Sequence, residues 1–532
     1  MAPVTSPQAG AASYPRRALK LVRPVPWDAW TLLVVMVVFG LAVVTTLGGA
    51  SAEYDEGVYW QSLRSMALGH SLFSAVFSSQ PPLFLISLFP VYLLAGQTLA
   101  AARLAILFYA ALGLVATWWI GRRLVGPLGG TLACLLLACE PLYVAESHTL
   151  QAEIPMLACA LLGIALALES RHHTARRRRT LVVISGVICA IAIMIKLFAV
   201  VALVPAALYV AAPSLRTLGE QDRGQGETVR DIAYQAAIDL AALGCGVVGT
   251  CLLVLLPFAD RLGLVYDQVI RFHLVAGTIG PYHWQDALGR VWGVEWSSTF
   301  FREALAGIIL AGVFAPRGRQ LRVAPILLWL ALSFAELVQQ HPLLPHHYVI
   351  LSPLLAITLG VATAALIEGI HRHRRRVLAV GMALNTIAGV VLLALALVTC
   401  ARNLQRSAHD LQLASALHPN QTQQAMVRAL QRAVPPGGLV ISDDQYVVGL
   451  ANRDVPPELV DTSLVRFQAG YLTGDQLEAI VARDGVTAIL FTGGRFSEML
   501  GFHSWVEAHY TLAVRFDGGQ TLYVLEPASA SP

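Results

Sequence analysis

Long apolar runs separated by short polar joins fill the chain from residue 28 to residue 400. An α-helix needs about 20 mainly apolar residues to cross the hydrocarbon layer of a bilayer. The pattern therefore predicts eleven spans, at 28–49, 102–121, 128–147, 154–170, 180–195, 197–213, 233–257, 300–316, 323–339, 349–369 and 377–399. The joins carry basic clusters: Arg122-Arg123, Arg171 to Arg179, Arg223/Arg230, Arg317-Arg319-Arg322 and His371 to Arg376. Lys and Arg in short joins mark the cytoplasmic side. An odd span count places every one of these clusters there, with the N-terminus inside and everything after residue 400 outside. The apolar stretch Pro82 to Ala95 is short, opens on Pro81-Pro82 and contains Pro90. It predicts an interfacial helix, because a crossing there would turn all the arginines outward.

After residue 400 the pattern is that of a soluble domain. Residues 438–442 read as a strand and 473–483 as a helix capped by Thr473, with short β-type runs at 487–492, 510–516 and 521–525. Asp443-Asp444 reads as a turn closing the first of these strands, with a ligand site as the alternative. The expected fold class is an α-helical polytopic membrane protein with a small C-terminal extracytoplasmic α/β domain. Its parts are a cytoplasmic tail at 1–27, a transmembrane domain at 28–400 with outer loops 50–101 and 258–299, and the α/β domain at 401–532. Ala50-Ser51-Ala52 resembles a signal-peptidase site, but a long first run followed by many others predicts an uncleaved first span.

Composition agrees with this. The chain has 532 residues, 56% hydrophobic and 13% charged, whereas soluble domains carry about 25% charged residues. The seven cysteines all lie in or beside apolar segments, and no CxxC spacing occurs, so neither a zinc ribbon nor a disulfide framework is expected. The bilayer is the expected surrounding and nucleic acid is not an expected partner.

Asp55-Glu56 follows the first span, with Tyr59 and Trp60 one turn on. Carboxylates held at the lipid boundary are costly unless they are used; the plainer reading is an acidic helix start leaving the bilayer. His148, Glu153, Lys196 and the turn His346-His347-Tyr348 fall on the same predicted face. Asp239 and Glu336 read as helix-packing groups. The loop 258–299 holds Tyr266, Arg271, His273, Tyr282, His283 and Trp284, suited to stacking on a sugar, although an amphipathic helix over Arg261 to Ala276 explains much of it.

Taken in order, these residues resemble the C-type glycosyltransferases, in the branch of the protein O-mannosyltransferases and the lipid A aminoarabinose transferases. The motifs are Asp55-Glu56-x-x-Tyr59, Pro81-Pro82-Leu83, Gly96 with Ala102-Arg103-Leu104, His148-x-x-x-x-Glu153-x-Pro155, Met194-Ile195-Lys196, and His347-Tyr348 with Pro353. Together they cover about residues 28–400. The resemblance implies transfer of a sugar, a hexose such as mannose or a pentose, from a polyprenyl-phosphate donor to an acceptor hydroxyl on the extracytoplasmic face, with inversion. It implies Asp55 as general base, with Glu56 and Glu153 as further catalytic acids. It makes Tyr59, Gln80, Arg103, His148, Lys196, His346, His347 and Tyr348 candidates for binding substrate. The acceptor, whether protein, lipid or glycan, is not named by it.

Two departures matter. Glu153 stands where the family usually has Asp. Gln80 stands before Pro-Pro where related enzymes often have Lys or His, and a neutral amide cannot neutralise a phosphate. No cofactor is assigned, although a divalent metal on the histidines with Glu153 stays open. The expected location is the plasma (inner) membrane, multi-pass. The reading from another class is a transporter or flippase of a lipid-linked or sugar substrate, for which repeated halves would be expected; the chain shows no internal repeat.

Overall fold

The computed structural model describes residues 26–50, 53–220, 229–314, 317–373, 379–499 and 501–525. The basic tail up to residue 25, Ser51-Ala52, Arg223 and the arginines at 374–376 lie outside the described residues.

The first half builds α1 (Trp27–Val44), α2 (Tyr54–Ala67), α3 (Leu83–Leu94), α4 (Leu99–Val125), α5 (Pro127–Ala138), α6 (Pro141–Glu146), α7 (Glu153–Ser170) and α8 (Ala175–Ile195). After a 3-10 turn at Leu197–Ala202 come α9 (Leu203–Glu220) and α10 (Val229–Leu255), then the short α11 (Leu262–Tyr266) and α12 (Phe272–Ala276). The membrane body is completed by α13 (Trp284–Ser297), α14 (Thr299–Phe314), α15 (Arg317–Gln339), α16 (Ser352–His373) and α17 (Ala379–Ala416). Sequence chemistry sets these boundaries. Thr98 caps α4 by accepting from Ala101 N at 3.2 Å, and Gly126, at φ +105°, ends it where a side chain would be strained. α7 and the stretch Pro345–Glu368 are buried almost throughout, whereas α1 exposes most of its apolar surface. The protein is a multi-pass membrane protein whose core is α4, α5, α7, α8 and α16.

Ion pairs fix the two ends of this bundle. At one end Arg122 meets Asp28 at 3.1 Å, and Arg123 pairs with Glu169, joining α4 to α1 and α7. At the other end, α4 carries Arg103 near its start and α7 carries Glu153 in its first turn.

Among the described residues eight stretches are long and apolar enough to cross a membrane, fewer than the eleven expected. The expected span 128–147 is broken into α5 and α6, because Pro141 lacks an amide hydrogen and disfavours helix at the preceding residue. Glu140 turns that break into a new helix start, accepting from Leu142 N at 3.2 Å and Tyr143 N at 2.7 Å. The run at 197–213 begins as a 3-10 turn, and that at 300–316 forms a helix of 16 residues. α3 has 12 residues, about 18 Å of helix, too short for a hydrocarbon layer about 30 Å thick. α17 runs past residue 400 to Ala416, so the helical body and the C-terminal domain share one continuous helix across the expected boundary.

The C-terminal domain contains α18 (Gln421–Ala433), β1 (Val440–Ser442), α19 (Gln445–Leu450), α20 (Leu464–Gln468), α21 (Gly474–Asp484), β2 (Ala488–Phe491), α22 (Phe502–His509), β3 (Thr511–Arg515) and β4 (Thr521–Val524). The sheet order is β1-β2-β4-β3, with β1 parallel to β2 and the other pairs antiparallel. Thr473 caps α21 in a reciprocal box with Gln476, and Gly485, at φ +63°, closes it. Ile441, Leu477, Phe491, Phe502 and Tyr523 pack between sheet and helices. Asp443 accepts from Thr492 N at 2.6 Å and Gly493 N at 3.0 Å, and Asp444 caps α19. Both acids are turn-forming groups.

Candidate active site

α2 is short and sparsely apolar, which suits a helix lying at the edge of the bundle instead of crossing it. Its first turn faces a cavity of about 420 Å³. Asp55 and Tyr59 from α2 form one wall, with Gln80 from the loop before α3. Lys196, His346, His347, His273 and Tyr282 also line the cavity, and Asp461 and Ser463 reach in from the C-terminal domain. Gln80 Nε2 donates to Tyr59 Oη at 3.3 Å, so the two neutral polar groups brace each other.

Lys196 ends α8, in an extended conformation that breaks the helix and turns the side chain inward. Its ammonium rests on Glu153 Oε1. The Nε2 atoms of His346 and His347 lie 3.6 and 3.7 Å from the same oxygen. These are close electrostatic contacts rather than hydrogen bonds. His347 Nδ1 accepts from Leu344 N at 3.2 Å, which places the proton of a neutral ring on Nε2, towards Glu153. Glu153 is fully buried and does not line the cavity; it sits behind the cationic wall and orients it. The ligand atoms of Glu153, His346 and His347 lie within 4.8 Å of one another, a donor set suited to a divalent cation. The Lys196 ammonium already neutralises that carboxylate, so a metal would have to displace it.

Asp55 is half-buried at the cavity wall. Burial pushes its carboxyl up to about 7, Asp461 adds to the rise, and Lys196 opposes it. A carboxylate poised near neutrality is matched to proton transfer at physiological pH.

A family model described as dolichyl-phosphate-mannose-protein mannosyltransferase matches residues 79–221. The fold is similar to that of ArnT from Cupriavidus metallidurans bound to undecaprenyl phosphate, with a TM-score of 0.61 at 16% identity over 95% of this chain and 99% of that one. The chain has the C-type glycosyltransferase fold. It resembles the protein O-mannosyltransferase and ArnT branch. The archaeal oligosaccharyltransferase AglB from Archaeoglobus fulgidus, in complex with an inhibitory peptide and a dolichol-phosphate, is a more distant neighbour, with a TM-score of 0.52 at 13% identity over 96% of this chain and 75% of that one. The comparison with curated proteins returned no match.

Within this C-type fold, the residues expected from sequence divide in two. Asp55, Tyr59, Gln80, Lys196, His346 and His347 line one cavity, with Glu153 directly behind it. Glu56 and Arg103 do not line it. Arg103 Nε and Nη2 donate to the two Glu56 oxygens at 2.6 Å each, and Arg103 Nη1 donates to Leu47 O at 3.1 Å and Gly49 O at 2.7 Å. Leu150 N donates to Glu56 Oε1 at 2.8 Å. The pair is almost inaccessible, 1% and 3% exposed, and it ties together the turn after α1, α2, α4 and the turn before α7. The expectation of a catalytic Glu56 and a substrate-binding Arg103 therefore gives way to a structural pair. His148 bonds through Nδ1 to Val144 O at 3.0 Å, and neither it nor Tyr348 is among the lining residues. Of the loop aromatics, His273 and Tyr282 reach the cavity, while Tyr266 and Trp284 are exposed. Asp461 and Ser463 were not expected from sequence.

Proposed function

We propose that this chain is a membrane glycosyltransferase that moves a sugar from a polyprenyl-phosphate donor to an acceptor hydroxyl on the extracytoplasmic face, with inversion at the anomeric carbon. The observation that carries this reading is one cavity lined both by Asp55, whose carboxyl is raised to about 7, and by the cationic group of Lys196, with His346 and His347 also lining it. The acceptor oxygen attacks the anomeric carbon from the side opposite the phosphate. The bond from that carbon to the phosphate oxygen breaks, and polyprenyl phosphate leaves. Asp55 takes the acceptor proton as general base. Lys196 meets the charge that develops on the departing phosphate, with the histidine N–H groups as further donors. Glu153 holds the ammonium in place and shares it with the incoming phosphate, which relieves the cost of a buried cation. The sugar is a hexose such as mannose, or a pentose, and the undecaprenyl phosphate bound to ArnT and the dolichol-phosphate bound to AglB support the donor class.

Purified full-length protein in lipid nanodiscs, offered a panel of radiolabelled polyprenyl-phosphate sugars with cell-envelope acceptors, tests this directly. Transfer by the wild type that disappears in Asp55→Asn and Lys196→Met supports it. Full turnover in Asp55→Asn removes the proposed base, and uptake or exchange of labelled substrate without transfer removes the enzyme.

A further inference from the structure

The C-terminal domain lines the cavity through Asp461, Ser463 and Val465, and the loop Asp461-Thr462-Ser463 is held by many contacts. Asp461 is only 7% exposed, and its Oδ1 accepts from Ser463 N at 2.8 Å. Thr462 N donates to Tyr54 Oη at 3.0 Å, and Thr462 Oγ1 lies 3.1 Å from the same oxygen. Tyr54 is the residue before Asp55. Arg466 Nη1 donates to Asp461 O at 2.6 Å and Glu458 O at 2.7 Å, and its guanidinium lies 4.0 Å from the Phe77 ring centroid. Arg495 stacks on Tyr54 at 3.8 Å. Below this, the faces of α2 and α19 meet closely: a Cβ on Gly57 would stand 2.5 Å from Tyr446 N, and one on Gly449 would stand 2.6 Å from the Trp60 ring. Arg64 pairs with Asp454 at 2.7 Å, and Gln61 Nε2 donates to Arg453 O at 3.3 Å. So much fixation around one short loop sets where Asp461 points.

We propose that Asp461 is the second carboxylate of the acceptor subsite, which makes the C-terminal domain part of the active site and selects a polyhydroxylated acceptor, a carbohydrate with a vicinal diol. This rests on the transferase reading above. Asp55 takes the proton of the attacking hydroxyl, and Asp461 accepts a hydrogen bond from the hydroxyl beside it. A single side-chain hydroxyl of a peptide engages one carboxylate and gives the other no hydrogen bond from the acceptor. A phosphate-bearing acceptor is repelled by both. The groups acting on Asp55 are Asp461, Glu153 and Glu53, whose negative charges favour its protonated form, and Lys196, which opposes them. Asp461 itself faces Tyr54, Tyr59 and Arg466. A carboxylate at 461 therefore also keeps Asp55 basic enough to take a proton.

The test uses the full chain in nanodiscs with a donor that the wild type turns over. Methyl glycosides bearing a vicinal diol, their deoxy counterparts, a Ser/Thr peptide and a phosphomonoester lipid serve as acceptors. Asp461→Asn keeps the oxygen that Ser463 N needs, so the loop persists. The expected result is an acceptor KM raised about 10-fold for the diol and unchanged for the deoxy glycoside, with the acid limb of the rate profile moved to lower pH and restored in Asp461→Glu. An unchanged KM and an unchanged acid limb in Asp461→Asn overturn the proposal while leaving the transferase intact. Preferential transfer to the peptide or the phosphomonoester overturns the acceptor class. Absence of transfer from any donor by the wild type overturns the transferase reading and this inference together.

Discussion

At the scale of single residues, several polar groups that stand out in the apolar sequence meet at one cavity. A polar group between apolar runs is conspicuous because lipid makes it costly, and Asp55, Tyr59, Gln80, Lys196, His346 and His347, which line the cavity, all stand out in this way. What sequence could not tell apart was an acid that faces substrate from one that faces an arginine. Asp55 and Glu56 are neighbours, yet their helical directions differ by about 100°, so one looks into the cavity and the other into Arg103. The proposed base sets the pH response. Its carboxyl sits at about 7 and is active only when unprotonated, so transfer should rise with pH through neutrality and level off above it. Initial rates across that range check this, and a profile flat down to pH 5 removes Asp55 from the role. Asp55→Asn should lower the rate by about 10²–10⁴-fold, with acceptor binding retained. The Lys196 ammonium on Glu153 supplies positive charge where a divalent cation would otherwise lie. Chelation by EDTA should therefore leave wild-type turnover unchanged, measured beside Lys196→Met, which should lose it; a chelator-sensitive wild type would instead put a cation on Glu153, His346 and His347.

At the scale of elements, local pattern predicted well wherever a local cause sets the element. Thr473 begins α21 in the structure as it did in sequence, and β1, β2, β3 and β4 fall within the four predicted β runs. The failures have local causes too. Glu140-Pro141 divides a run whose hydropathy looks continuous, and α17 passes residue 400 because the polar turns beyond that point remain good helix formers. The close approach of α2 to α19 had no local signal, because it depends on two glycines far apart in the chain. Gly57→Ala is the test of that contact. Its Cβ would meet backbone, which cannot rotate away, so the C-terminal domain should shift off α2. Transfer should fall while the helical body keeps its thermal stability, and limited proteolysis should cut sooner after Ala416. The Glu56–Arg103 pair has the opposite signature. Removing one partner of a buried pair leaves an uncompensated charge, a cost of about 3–5 kcal/mol. Arg103→Ala should then lower stability in denaturant titrations by that order, and its activity should track the folded fraction.

At the scale of the whole molecule, the charges impose a direction. Arg122 and Arg123 close the bundle at one end against Asp28 and Glu169, while the cavity, Arg103 and the C-terminal domain gather at the other. Arginine-rich joins are what the cytoplasmic side carries, so the proposed orientation puts the first of these ends inside and the cavity and the domain outside. Two facts bear on that orientation independently of the arginines. α3 is too short to add a crossing, so it cannot invert everything after it. The single helix α17 leads from the bundle into the C-terminal domain at the cavity end, so the side of that domain reports the side of the site. A phosphatase reporter that is active only outside the cytoplasm, fused after Ala416, should therefore be active, and the same reporter placed in the join between α7 and α8 should be silent. If both were silent, the cavity would face the cytosol. A donor whose sugar is presented on the outer leaflet could not then reach Asp55.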